Sequence, residues 1–158
     1  MKQKTEQEAY QQLAALCAQS EHCEWEIREK LRRWEFDEKA QNHVLERLVK
    51  ERFVDDERYA RAFVKDKVRY NKWGRRKVEQ ALWLKHIRED IRQQALDEID
   101  DSEYLQVLRP LLKQKRKSTK ARDDYELNQK LMRFALGRGF TFDLIRQCLG
   151  DVEEEEEM

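Results

Sequence analysis

Phe53-Val54-Asp55-Asp56-Glu57-Arg58-Tyr59-Ala60-Arg61-Ala62-Phe63-Val64 reads as the opening of a helix. Asp55 is placed to cap free backbone N–H groups, while Asp56 and Glu57 bring negative charge to the positive end of the helix dipole. With Asp55 as N-cap, Val54 and Tyr59 occupy the two positions of a hydrophobic staple. Tyr59, Ala60, Phe63, Val64 and Val68 then form one apolar face at helical period, and the run ends near Asn71, before Gly74. Phe63 is expected to anchor this helix against its neighbours, so that Phe63→Ala would cost about 3–5 kcal/mol if the ring is fully buried.

The composition around this stretch favours more helices of the same kind. Charged residues are 42% of the 158-residue chain, against about 25% in an ordinary globular domain. Only 39% is hydrophobic, and four glycines and one proline leave little turn chemistry for an all-β fold. Narrow apolar stripes on Glu-, Lys-, Arg- and Leu-rich helices are expected, in an elongated all-α body.

The net charge is zero, but it is unevenly spread. Six of the 33 acids lie in the tail 151–158, which leaves 27 acids against 33 bases, a net of +6 for the rest. A basic body with an acidic tail suits a protein that meets nucleic acid or nucleoprotein; it equally suits a solvated tail that aids solubility. Cys17, Cys23 and Cys148 have no metal-ligand spacing and read as free thiols in a reducing cytosol. No signal peptide or span-length apolar run is seen, so a cytoplasmic protein is expected.

One pattern runs through the chain three times. Ile27 and Leu31 are answered by Val78 and Leu82, 51 residues on, and by Leu127 and Leu131, 49 further. Counted from Phe36, Ile87 and Phe140, all three copies are apolar at +4, +8 and +9. The third copy carries four extra residues before Phe140, about one helical turn. The expected organisation is three stacked three-helix repeats at 1–52, 53–100 and 101–150, giving an elongated, curved body, and a disordered acidic tail at 151–158. Gly137 and Gly139 suit a left-handed helix end, where repeats one and two have Glu35 and His86 in the place of Gly139. If those turns are left-handed too, each non-glycine costs roughly 1 kcal/mol; otherwise the turns differ in shape.

The run from Phe53 to Phe63, with Gly74-Arg75-Arg76-Lys77-Val78 downstream, resembles the RecX family of RecA regulators. Glu24 to Leu31 resembles the family's first-repeat helix, and Arg138-Gly139-Phe140 with Ile145 its C-terminal repeat; together the likeness covers most of residues 5–150. The departures are local: Cys23 stands at an N-cap where the family usually has Ser, and Glu35 and His86 replace favoured glycines. The resemblance implies a modular three-helix-repeat protein that binds the RecA filament on DNA in its groove. It also implies that such a protein limits filament extension, ATPase, strand exchange and repressor-coprotease activity, in DNA repair, recombination and the SOS response. The implied partners are the RecA filament and single- or double-stranded DNA, with no membrane; a monomer is expected.

Two basic stretches are the candidate DNA or filament contacts. Residues 109–122 hold seven bases and no acid, among them Lys113, Lys115, Arg116, Lys117, Lys120 and Arg122. Residues 61–77 hold eight bases and one acid, Asp66, and supply Arg69, Lys72, Trp73, Arg75, Arg76 and Lys77. Such patches neutralise phosphates; a charge run is also the ordinary solvated face of a helix. Trp73 can stack on a base or on a partner's side chain; sealing the helix joint is the role favoured for it. Trp25 lies off its helix's apolar stripe, either exposed or packed on a neighbouring repeat; Trp34 and Trp83 are expected in the core or between repeats, and Tyr10, Tyr59 and Tyr104 in structural roles.

Nothing points to catalysis. Asp55, Asp56 and Glu57 are explained by the helix start without a metal, the three histidines are scattered, and no glycine-rich phosphate loop appears. No catalytic, metal-binding or cofactor-binding residue is assigned. The alternative to a filament regulator is a general helical adaptor or nucleic-acid-binding module without recombinase specificity.

Overall fold

The computed structural model describes residues 4–157, with side chains from 4 to 150. Among them nine helices and no strand are found: α1 (Glu6–Gln19), α2 (Glu24–Arg33), α3 (Glu38–Lys50), α4 (Asp56–Arg69), α5 (Arg75–Leu84), α6 (Glu89–Asp97), α7 (Asp101–Ser118), α8 (Asp124–Gly137) and α9 (Phe142–Glu157). The all-α expectation therefore holds. The tail 151–158, expected to be disordered, continues α9 in its backbone as far as Glu157; its side chains, and Met158, lie outside the described residues.

The chain divides into two compact units, one of Met1–Phe63 with Leu82–Gln93 and one of Val64–Ala81 with Gln94–Met158. In the first, α1, α2 and α3 enclose a core of Ala9, Tyr10, Leu13, Ile27, Leu31, Val44, Leu45 and Leu48. In the second, α7 packs on α8 and α9, burying Leu108, Leu112, Leu131, Phe140 and Ile145.

Helix α4 starts as its sequence requires. The Asp55 carboxylate accepts the Arg58 N–H at 3.1 Å, and Val54 and Tyr59 are both buried. The inward stripe is Tyr59, Ala60, Val64 and Val68, whereas Phe63 is only half-buried and lies tilted against Tyr59 at 5.7 Å. Phe63 is therefore not the anchor expected of it, and the full cost of a buried phenylalanine does not apply.

The three left-handed turns are real. Glu35, His86 and Gly139 have φ of 63°, 57° and 93°. Each is flanked by the same pair of hydrogen bonds: Glu35 N–H to Arg32 and Phe36 N–H to Leu31, His86 to Trp83 and Ile87 to Leu82, Gly139 to Leu136 and Phe140 to Ala135. These are Schellman ends, which satisfy carbonyls that a helix terminus leaves open. In the third, Ala135 stands where Leu31 and Leu82 stand, because α8 has 14 residues against ten in α2 and α5. That extra turn absorbs the four inserted residues. Gly137 lies inside α8 and is not one of the left-handed residues.

The turns dock on helix starts in two ways. In the second unit, the N–H groups of Gly74 and Arg76 donate to the carbonyls of Arg138 and Gly139 at 2.8 and 3.0 Å. Backbone meets backbone there: a Cβ on Gly74 would lie 2.3 Å from the Phe140 nitrogen, and one on Gly139 2.4 Å from the Lys77 Cβ. In the first unit, side chains fill this role. His86 stacks on Trp25 with ring centroids 5.4 Å apart, which places Trp25 in packing rather than in solvent. The Cys23 N–H donates to Glu26 at 3.1 Å, and the Glu24 N–H to Asp56 at 2.9 Å.

Burial pushes the Asp56 carboxyl up from 3.8 to about 6, with Glu24 and Asp55 adding like charge. The folded state thus binds a proton between about pH 4 and 6 that the unfolded state has released. Ionisation of Asp56 costs stability: the cost is absent below about pH 4 and fully present above about 6. Asp56→Asn keeps an oxygen for the Glu24 N–H and does not ionise. Its denaturation midpoint relative to the parent chain is expected to rise as the pH goes from 4 to 7. A difference that is flat across this range would contradict the account.

Candidate functional site

Helix α7 has a buried half and an exposed half. Asp100 caps it by accepting the Glu103 N–H at 3.1 Å, and Tyr104, Leu105, Leu108 and Leu112 are buried. Beyond Leu112 the helix runs past its apolar support. Lys113, Lys115 and Lys117 are exposed and Arg116 is half-buried. Bases in the last turn also complement the helix dipole, a purely structural benefit.

This basic end does not stand alone. The Lys115 ammonium sits over the Phe134 ring at 4.9 Å and the Arg138 guanidinium over the same ring at 5.2 Å. Arg138 also donates to the Asn71 carbonyl at 3.2 Å. Next along the chain are Lys72, in a left-handed conformation with φ 58°, and Trp73, half-buried with the ammonium groups of Lys67 and Lys77 at 5.3 and 4.6 Å from its ring. Within the second unit, one strip of alternating cations and aromatic rings therefore joins the ends of both basic stretches.

The other predicted contacts are less available. Arg69 pairs with Glu103 at 3.5 Å, Arg75 with Asp97 at 2.8 Å and Arg122 with Glu126 at 2.5 Å, so the ordinary surface reading gains for these three. Arg76 is exposed and its backbone N–H is committed to Gly139. Lys120 is exposed, and its carbonyl accepts from Lys130 at 2.6 Å. Lys72, Lys77, Lys113, Lys115 and Lys117 have no carboxylate partner among the described residues.

Phe134 and Arg138 were missed in the sequence because neither lies in a basic run. Their spacing of four residues, from the last turn of α8 to its C-cap, puts them on one face, and only tertiary approach shows that Lys115 meets them. Trp83, expected inside, is 62% exposed. Trp34 is half-buried against the first unit's core, as expected.

A cleft of about 760 Å³ in the first unit is lined by Trp25, Arg28, Asp55, Asp56 and Arg58 among others. Asp55 and Asp56 already accept helix N–H groups there, and Arg58 pairs with Glu21 at 2.7 Å. The cleft reads as a helix junction. No group of three or more metal-ligating side chains is gathered among the described residues, and no helix there is long and apolar enough to cross a membrane.

The first, second and third three-helix domains of RecX match this chain in order, at residues 9–48, 55–96 and 101–149. The chain belongs to the RecX family. It is 34% identical over 136 residues to the regulatory protein RecX of Clostridium acetobutylicum, a match that covers 84% of this chain and 63% of that one. The regulatory protein RecX of Clostridium perfringens strain SM101 is 32% identical over 137 residues, covering 85% and 64%. The chain thus spans less than two thirds of the length of these RecX relatives. The crystal structure of RecX from Lactobacillus salivarius superposes with a TM-score of 0.84 at 19% identity, over 94% of this chain and 96% of that one. The RecX fold is shared. The relatives are named regulatory proteins.

Proposed function

We propose that this RecX-family chain is a non-catalytic cytoplasmic regulator that binds the RecA–DNA filament and holds down its ATPase, recombinase and repressor-coprotease activities. DNA repair, recombination and the SOS response are then its setting. The strip from Lys115 through Phe134 and Arg138 to Trp73 carries this reading. It offers several cations without competing carboxylates, which suits phosphates or an acidic filament surface. A regulator of this kind works by binding one filament state more tightly than another, and the shift it causes is limited by that difference in affinity.

Saturating protein is expected to suppress ATP hydrolysis by a cognate RecA filament on single-stranded DNA, and repressor cleavage with it, while hydrolysing nothing itself. If both activities continue unchanged, the alternative takes over: a general helical adaptor or nucleic-acid-binding module, which the same cationic strip would serve.

A further inference from the structure

Glu26, in the first turn of α2, is a hub. Its carboxylate accepts the Cys23 N–H at 3.1 Å, pairs with Lys85 at 3.4 Å and faces the hydroxyl of buried Tyr59, which its charge helps to keep protonated. The second unit repeats this arrangement with one change. Lys77 precedes Val78 as Glu26 precedes Ile27, and Tyr104 follows the cap Asp100 by four residues as Tyr59 follows Asp55. An ammonium group cannot accept a hydrogen bond. The Lys77 ammonium stands 4.6 Å over the Trp73 ring instead. Tyr104 is 2% exposed, and its hydroxyl has no hydrogen-bond partner among the described residues.

A buried hydroxyl left unpaired is destabilising, and such groups in a native protein call for a reason. A glutamate or glutamine at 77 would face the Tyr104 hydroxyl with an acceptor, as Glu26 faces that of Tyr59. Local rules are broken chiefly where function requires it. We propose that Lys77 is a binding residue kept at the expense of the fold, and that with Trp73 it takes the phosphate and base of one nucleotide of a single-stranded nucleic acid. The inference rests on reading the strip as a nucleic-acid surface. The half-buried indole offers a π face that accepts any base, with Lys67 and Lys77 beside it and Lys72 next in the chain. Arg138, Phe134 and Lys115 continue the alternation of charge and ring that suits successive nucleotides.

The test needs no recombinase. Affinity of the full chain for a fluorescent single-stranded oligonucleotide is measured by anisotropy across a salt series, beside thermal denaturation. Lys77→Gln and Lys77→Glu are expected to raise the midpoint by a few degrees. Tyr104→Phe raises it too, with binding as in the parent chain, and the Lys77→Gln gain disappears in the Tyr104→Phe background. Lys77→Glu weakens binding about fivefold or more at about 0.1 M salt and lowers the salt slope by about 0.7. Trp73→Ala also weakens it at least about fivefold. Midpoints that fall in Lys77→Gln and Tyr104→Phe would overturn the claim of a cost to the fold. Oligonucleotide binding that survives Lys77→Glu and Trp73→Ala would overturn the nucleotide site. If those variants lose only ATPase suppression on the filament, the site receives protein: this proposal fails and the regulator reading stands.

Discussion

Reversing Lys113, Lys115, Arg116 and Lys117 to Glu together is expected to abolish most binding while leaving helix content nearly unchanged. Glu and Lys have similar helix propensity, and Lys113, Lys115 and Lys117 are exposed on the part of α7 that has left the core. Each single-strand phosphate contact contributes a salt slope of about 0.7, or about fivefold in affinity at about 0.1 M salt. Four such contacts are worth roughly 600-fold, and their loss should lower the slope by about 2.8. Titration at several salt concentrations, with circular dichroism as the control, checks this. A four-fold variant with unchanged affinity and slope would return residues 109–122 to the status of a solvated helix face.

Gly74→Ala and Gly139→Ala are expected to be the most destabilising of the glycine substitutions, and Gly74→Ala isolates the packing part of the cost. Its Cβ would lie 2.3–2.4 Å from backbone atoms of Gly139 and Phe140, and backbone cannot step aside as the end of a flexible side chain can. The start of α5 and the turn after α8 would have to part, stretching the hydrogen bonds from Gly74 and Arg76 to Arg138 and Gly139. Overpacking of about 1–3 kcal/mol and two weakened hydrogen bonds of about 1 kcal/mol each give a loss of about 3–5 kcal/mol. Against a typical total of about 5–15 kcal/mol that is severe. Gly139→Ala adds the strain of a side chain at φ 93°, about 1–2 kcal/mol. Gly137→Ala meets nothing within 4 Å and is expected to be neutral or to stabilise by up to about 1 kcal/mol. Urea midpoints for the three variants check the order; a Gly74→Ala midpoint equal to that of Gly137→Ala would refute the backbone contact.

Much of this fold is legible because it is local and repeated. Asp55 announces the start of α4, and the shared spacing of Phe36, Ile87 and Phe140 announces three equivalent turns. Equivalence to Gly139 left Glu35 and His86 either left-handed or in turns of another shape; both are left-handed, although neither residue favours it. Their neighbours at the helix starts explain the difference: His86 stacks on a side chain, Trp25, whereas Gly139 meets the backbone of Lys77.

What stayed hidden depends on distance in the fold rather than on pattern. The apolar stripe of α4 included Phe63, and only packing decides that Val64 and Val68 are buried while Phe63 is half out. Trp83 looked like core by composition, yet it is exposed. The basic stretches were visible as charge, but not the Phe134 and Arg138 link that unites them. Nor did sequence separate Lys115, over a ring, from Arg122, tied to Glu126.

The regulator reading is tested most directly by one comparison: the affinity of the protein for a preassembled RecA filament on a single-stranded oligonucleotide, against its affinity for the same oligonucleotide bare, in the same salt. The account predicts clearly tighter binding to the filament, with the excess lost in the Lys113, Lys115, Arg116, Lys117 reversal. Equal affinity for filament and bare strand would contradict it and leave a nucleic-acid-binding module without recombinase specificity.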